Sequence, residues 1–183
     1  MLHMEQKDYK FEIMNMLLKN SNHVRSLAKK FGTNHTTISR KIKELYELNI
    51  VDYKQEGKNK VYFIKKNPEA KAFIFMTENY KLNQIMKKHP YIRKIIEKIQ
   101  GNKKIKIAII FGSYAKGEET KKSDIDVYIE TMDKKIKKDL EIIDSKVNVK
   151  MGRYDRKNPL IKEIEKNHVI IKGVERYYDK IFD

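Results

Sequence analysis

The chain has 183 residues, with 41 Lys and Arg against 25 Asp and Glu, and its formal net charge of +16 favours polyanionic partners such as nucleic acids and nucleotides. Cysteine is absent, which excludes disulfides and thiolate metal sites and is compatible with the cytoplasm, where we expect the protein. No apolar run approaches the roughly 18 residues that span a bilayer, and the charged N-terminus lacks the pattern of a secretory signal, so no membrane association is expected.

Hydrophobic residues in the first third of the chain recur at helical spacing and then give way to two β-rich segments. Residues 5–18 predict a first helix. Residues 24–48 predict two short amphipathic helices joined by a tight turn at Gly32. The segments 50–54 and 60–64 flank a polar, glycine-containing stretch and predict a basic hairpin.

Three helices followed by a hairpin resemble the winged helix-turn-helix family, and LAKKFGTNHTTISRKIKELYELNIV is similar to the pattern of its small archaeal and bacterial regulators. The resemblance covers about residues 5–66. It implies that the third helix enters the major groove of double-stranded DNA and that the hairpin, the wing, contacts the DNA backbone. The residues expected to contact DNA are His35, Thr36, Thr37, Ser39, Arg40 and Lys41 on the helix and Lys54, Lys58 and Lys60 on the wing. A protein-interaction role for this domain remains an alternative.

Residues 68–100 are too rich in apolar side chains to be a flexible tether. We expect two helices separated near His89 and Pro90, because proline disfavours a continuous helix. The segment either packs between the two ends of the chain or forms a dimer interface, and the sequence does not choose between these arrangements. His89 is interpreted as a helix-end residue, since no partner for a metal site lies at ligand spacing.

The stretch FGSYAKGEETKKSDIDVYIE, residues 111–130, carries the residues that suggest chemistry. It follows an apolar run that predicts a buried strand, and Gly112 ends that strand and permits a close approach. A short helix is expected next, where Ser113 and free backbone N–H groups suit a phosphate. Asp124 and Asp126 are two positions apart in the following strand, so both carboxylates lie on one side, where Mg²⁺ is the expected occupant.

Gly112-Ser113, ten residues and then Asp124-Ile125-Asp126 resemble the signature of the nucleotidyltransferase superfamily that includes DNA polymerase beta. Over about residues 101–183 the chain looks most like the minimal nucleotidyltransferase branch. The resemblance implies transfer of a nucleoside monophosphate from an NTP, with ATP the expected nucleotide, to a hydroxyl group. It also implies the site residues, which are Gly112, Ser113 and Lys116 for the nucleotide and Asp124 and Asp126 for two Mg²⁺ ions and catalysis.

A third carboxylate on a later strand normally completes the site in that superfamily. The strand expected here is 146–150, and the matching position carries Asn148, which adds no charge and cannot take a proton. Glu141 and Asp144 could replace it only in a different register. Two alternatives therefore stay open, an active transferase and a fold that keeps nucleotide binding, or only the scaffold, without efficient transfer.

These expectations combine into an α+β protein with three parts. A winged helix-turn-helix domain is predicted for residues 1–67, a helical connector for 68–100, and a nucleotidyltransferase mixed sheet with flanking helices for 101–183. Minimal nucleotidyltransferases often act as antitoxins on a HEPN-type toxin, so such a toxin is an expected partner beside DNA and NTP. A homodimer is expected because helix-turn-helix proteins often read paired half-sites. The alternative is a transcriptional regulator whose rear domain binds a nucleotide or a partner.

Overall fold

The computed structural model describes residues 8–182. Residues 1–7 and 183 lie outside this range. The start of the first predicted helix, and most of the charged N-terminus that lacks the pattern of a secretory signal, therefore lie outside the described residues. The chain folds into two compact units, one ending at Thr77 and the other beginning at Glu78. This division falls inside the segment predicted as a connector.

The first unit contains three helices and a hairpin, followed by the start of the long helix that begins at Pro68. Its elements are α1 (Tyr9–Leu17), α2 (Val24–Phe31), α3 (His35–Glu47), β1 (Val51–Glu56) and β2 (Asn59–Ile64). Asn34 caps α3 by accepting a hydrogen bond of 2.7 Å from the Thr37 backbone N–H. Gly32 ends α2 in the left-handed conformation, with φ of 62°. The predicted helix-turn-helix and wing are confirmed.

The apolar faces of the three helices form the core of this unit, as their spacing predicts. The buried residues are Ile13, Met14, Leu17, Leu27, Ala28, Ile38, Ile42 and Leu45. The hairpin is antiparallel and pairs Glu56 with Asn59 across a two-residue turn, where Gly57 has φ of 58°. Asn22 and Tyr62 exchange backbone hydrogen bonds of 2.8 and 3.1 Å, which tie the wing to the segment before α2.

Two helices and a short turn occupy the predicted connector. Helix α4 spans Pro68–Lys88, a 3₁₀ turn spans Pro90–Ile92, and α5 spans Arg93–Gly101. The expected separation near His89 and Pro90 is therefore confirmed. Within the described part of the chain, no helix is both long and apolar enough to cross a bilayer.

The second unit is built on a four-stranded mixed sheet in the order β5-β4-β3-β6. Its remaining elements are β3 (Ala108–Phe111), α6 (Gly112–Lys116), β4 (Ile125–Glu130), α7 (Lys134–Glu141), β5 (Val147–Gly152), α8 (Pro159–Lys166), β6 (Val169–Lys172) and α9 (Val174–Phe182). Strands β4 and β5 are parallel, and β3 is antiparallel to both β4 and β6. The mixed sheet with flanking helices is confirmed, and α9 adds a helix that the sequence analysis did not predict.

The two faces of β4 differ in chemistry. Ile125, Val127 and Ile129 are buried in a core shared with α5 and α7. By alternation, the other face carries Asp126, Tyr128 and Glu130. The sheet thus presents a half-buried carboxylate at the start of β4, on the side away from that core.

Candidate functional site

The Gly-Ser turn lies against the second aspartate of the pair. Phe111 is opposite Asp126 in the antiparallel register of β3 and β4, so Gly112 follows at the same point of the sheet. A Cβ atom on Gly112 would stand 2.6 Å from Asp126 Oδ2, and Gly112 has φ of 69°. Both the backbone conformation and the lack of space require glycine here. The close approach predicted for Gly112 is therefore made, in this structure, to the Asp126 carboxylate.

Asn148 lies beside the same carboxylate. The parallel register pairs Asp126 with Asn148, and Asn148 Nδ2 donates a hydrogen bond of 2.8 Å to Asp126 Oδ1. Glu141 instead accepts from the Val149 backbone N–H, and Asp144 accepts from the Lys146 backbone N–H. Neither of these acids takes the position of the third carboxylate.

Ser113 directly follows Gly112, Asp124 lies two residues before Asp126, and the side-chain oxygens of both are free of hydrogen bonds within residues 8–182. Asp124 is exposed immediately before β4. A turn closed by Thr120 and Ser123 leads into Asp124, with Thr120 N donating to Ser123 Oγ at 2.9 Å. Lys116 is exposed, and its Nζ lies 3.9 Å from Glu163 Oε1.

The candidate metal ligands at this site are the carboxylates of Asp124 and Asp126. Mg²⁺ binds well to one or two carboxylates combined with substrate phosphate oxygens. Asp124 directly precedes β4, and the alternation of that strand, continued by one residue, would place its carboxylate on the side of Asp126. Among residues 8–182, no group of three or more His, Cys, Asp or Glu side chains is placed to hold a metal. The amide of Asn148 faces Asp126 as a donor, so it adds a hydrogen bond and no charge.

The N-terminal half of α3 presents the polar side chains predicted to contact DNA. His35, Thr36 and Arg40 are exposed, and Thr37 and Ser39 are half-buried. A shallow pocket of about 200 Å³ lies on this face and is lined by Asn34, Thr36, Thr37 and Arg40. Exposed donors and a guanidinium at the start of a helix suit base edges and phosphates.

Lys41 differs from its neighbours on α3. Its Nζ lies 2.8 Å from Glu44 Oε1, and Lys10 of α1 reaches Glu44 Oε2 at 3.7 Å. The hydrogen bond from Lys41, acting against partial desolvation, holds the pKa of Glu44 below its ordinary value. Lys41 is thus engaged within the protein, whereas Lys43, which the sequence analysis did not select, is exposed beside Glu47 at 3.6 Å.

The wing adds cations and an aromatic cluster next to α3. Lys54, Lys58 and Lys60 are exposed, and Lys60 Nζ lies 4.0 Å from the Tyr53 ring centroid. A second pocket, of about 220 Å³, is lined by Ser39, Ile42, Lys43, Tyr46, Tyr53, Lys60 and Tyr62. The three tyrosines could not be predicted from the sequence as one cluster, because the helix and the two strands that supply them meet only in the folded unit.

Comparisons with known families agree with these two sites. Residues 9–53 match the family model described as bacterial regulatory protein, arsR family, and residues 93–176 match the model described as polymerase beta, nucleotidyltransferase. This chain joins a winged helix-turn-helix unit to a nucleotidyltransferase-type domain. The two matched segments contain α3 and the whole stretch from Gly112 to Asn148.

One similar solved structure is the homodimeric winged helix-turn-helix DNA-binding domain of Mb0332 from Mycobacterium bovis, described as a possible ArsR-family transcriptional regulator. It is 21% identical, the match covers 40% of this chain and 85% of that chain, and the TM-score is 0.32. No curated protein matches the chain.

Proposed function

We propose that this chain binds duplex DNA through α3 and the wing, and that its nucleotidyltransferase-type domain transfers a nucleoside monophosphate from an NTP, expected to be ATP, to a hydroxyl group. The observation that carries the transferase half is the close approach of Gly112 to Asp126. A Cβ atom added at Gly112 would stand 2.6 Å from Asp126 Oδ2. This approach supports a site in which the Gly-Ser turn and an acidic pair act on one ligand.

The proposed reaction needs little covalent chemistry from the protein. The acceptor hydroxyl gives up its proton to water and its oxygen forms a bond to the α-phosphorus, while the bond from that phosphorus to the bridging oxygen breaks and pyrophosphate leaves. Positioning and charge neutralisation then supply most of the catalysis. Asp124 and Asp126 would hold Mg²⁺, which neutralises phosphate charge when bound. The free Ser113 hydroxyl is available to the triphosphate.

The acceptor and the assembly are further parts of the proposal. A hydroxyl on a partner protein is the acceptor we favour, with a HEPN-type toxin as the candidate that the family resemblance suggests. A homodimer would let two copies of α3 reach paired half-sites in successive turns of DNA. Sedimentation of the free protein and of its complex with DNA tests the dimer directly.

The transferase half is tested with α-labelled ATP, Mg²⁺ and candidate acceptors. We expect transfer of the label with release of pyrophosphate, and loss of both in an Asp124→Asn, Asp126→Asn variant that still folds. Labelling that survives in this double variant would contradict the assignment of the acidic pair. Chelation of the divalent ion should also abolish transfer.

A second candidate is a regulator whose rear domain binds a nucleotide without turnover. It is favoured by Asn148, which occupies the expected third acidic position and donates a hydrogen bond to Asp126. Nucleotide binding that depends on Asp124 and Asp126, without pyrophosphate release for any acceptor, would support this candidate over the transferase.

A further inference from the structure

A buried glutamate fixes the loop that joins the Gly-Ser helix to the acidic pair. Glu119 lies between α6 and β4, and its side chain is only 6% exposed. Its Oε1 is 3.0 Å from His89 Nε2 and also contacts Lys88 Nζ at the end of α4. Over residues 117–124, Glu119 and Ser123 are the residues that are not fully exposed. The Glu119 side chain therefore attaches the loop to the body of the unit through buried contacts.

The same histidine is connected to the Gly-Ser helix. His89 Nδ1 lies 3.2 Å from Tyr91 Oη, and Tyr91 Oη lies 2.7 Å from Tyr114 Oη. Tyr114 belongs to α6, directly after Ser113, and is buried. The His89 and Tyr114 rings also meet edge to face, with centroids 5.0 Å apart. One imidazole thus joins the helix and the loop on either side of Gly117.

The chemistry of the two ends is compatible with one direction of this chain of hydrogen bonds, in which His89 is the neutral imidazole that carries its proton on Nε2. Burial disfavours ionisation of Glu119, but the hydrogen bond from Lys88 and neighbouring charges hold its pKa below the ordinary value, so the carboxylate only accepts. Burial, and then the bond to Tyr91, raise the pKa of Tyr114, so this phenol keeps its proton. Tyr114 then donates to Tyr91, Tyr91 to His89 Nδ1, and His89 Nε2–H to Glu119.

We infer that Glu119 is a positioning residue for the nucleotide site, acting through His89 and Tyr91 to hold α6 and the loop in register with Asp124. This inference rests on the proposed function. The loop has other hydrogen bonds, some of them local, such as Glu118 N to Ser113 O at 3.0 Å and Thr120 N to Ser123 Oγ at 2.9 Å. One joins it to the segment before β5, where Lys146 Nζ donates to Lys121 O at 2.9 Å on the surface. They shape the loop but do not attach it to α4.

The test compares Glu119→Gln with wild type in the full chain. Titration with a fluorescent ATP analogue and Mg²⁺ should show nucleotide affinity reduced about tenfold, the low end of what loss of a residue supporting a binding site causes. Hydrogen exchange of amides 112–124, measured without nucleotide, should become faster. Tyr91→Phe removes the middle hydroxyl and should shift both measurements in the same direction.

Glu165→Gln is the matched control. Glu165 is a partly buried glutamate of the same unit that bonds the Tyr154 hydroxyl at 3.1 Å and Arg156 Nε at 3.2 Å, outside this chain of bonds. It should lower stability without changing nucleotide affinity or exchange at 112–124.

The outcomes separate the inference from the proposed function. Equal nucleotide affinity in Glu119→Gln and wild type would overturn the inference while leaving the proposed function intact, and so would an equal loss in Glu165→Gln. A wild-type protein that binds no nucleotide would overturn the proposed function and, with it, the role in nucleotide affinity. The exchange rates would then still show whether Glu119 orders the loop.

Discussion

Asn148 places a neutral amide where a further carboxylate would complete the acidic site. Its hydrogen bond to Asp126 is stable without a cation, whereas two adjacent carboxylates repel. Asn148→Asp should therefore lower the stability of the metal-free protein by about 1–3 kcal/mol, because a partly buried hydrogen bond is exchanged for repulsion. Mg²⁺ should restore this stability and raise the rate of pyrophosphate release at least about tenfold, a change of about 1.4 kcal/mol in the barrier.

Thermal unfolding with and without Mg²⁺, together with pyrophosphate release, measures both effects. Asn148→Ala is the control, since it removes the amide without adding charge and should gain neither metal response nor activity. An Asn148→Asp protein that is insensitive to Mg²⁺ would show that the pair at Asp124 and Asp126 does not bind the ion.

Gly112 is required for two separable reasons, its positive φ and its contact with Asp126. Gly112→Ala should cost about 1–3 kcal/mol of stability through backbone strain and should also displace the Asp126 carboxylate, weakening Mg²⁺-dependent nucleotide binding. Gly117→Ala is the matched control, because Gly117 has φ of 74° but nothing within 4 Å of its Cβ. Denaturant unfolding and nucleotide titration on both variants separate the two contributions. Equal nucleotide affinity in the two variants would mean that contact with Asp126 is unimportant.

At the scale of elements, two neighbouring cations of α3 differ in whether they are free to contact DNA. Arg40 is exposed and forms no ion pair among residues 8–182, whereas Lys41 is held at 2.8 Å by Glu44. Arg40→Ala should weaken duplex binding and, if it meets a phosphate, reduce the salt slope by about 1. Lys41→Ala should change binding less and stability more. Binding isotherms at several salt concentrations test this, and a larger salt-slope change for Lys41→Ala would reverse the assignment.

Elements that depend on local sequence were predictable, and contacts between distant segments were not. Helical spacing and turn residues identified α1 to α3 and the wing. The placement of Asp124 on the same side as Asp126 stays a prediction. Strand assignment also put Asn148 at the matching position. By contrast, the sequence predicts neither the contact of His89 with Glu119, 30 positions away, nor the contact of His168 with Glu78, 90 positions away. Periodicity carries no information about such pairs.

At the scale of the whole molecule, the second unit contains a buried charge on α4. Glu78 is fully buried, lies 2.8 Å from Lys81 Nζ, and accepts a 2.7 Å hydrogen bond from Tyr178 Oη on α9. His168 Nε2 lies 3.6 Å from the same carboxylate. Residues from the middle of the chain, from the turn before β6 and from the last helix thus contact one carboxylate, and the stability of the unit should depend on its protonation.

That dependence has a definite sign. Burial opposes ionisation of Glu78, but Lys81 and His168 outweigh it and lower its pKa from 4.5 to about 2. Burial, and then the charge of Lys81, lower the pKa of His168 below 6.5. Both groups bind protons more weakly in the folded state, so their contributions to the free energy of unfolding are complete at neutral pH and are lost on acidification. The loss begins at about pH 6.5 for His168, and for Glu78 it extends from about pH 4.5 towards 2.

Glu78→Gln should therefore destabilise the second unit at pH 7 by about 3–5 kcal/mol, because it leaves the Lys81 ammonium without its buried partner. The difference in stability between this variant and wild type should shrink as the pH falls towards 3, because the stabilisation that ionised Glu78 gives the wild-type protein is progressively lost. Glu163→Gln, at an exposed ion pair with 3.9 Å between its charged atoms, should change stability by less than about 1 kcal/mol at either pH. Denaturant unfolding from pH 3 to 8 measures all three proteins, and a constant deficit for Glu78→Gln across that range would show that Glu78 is not ionised in the folded state.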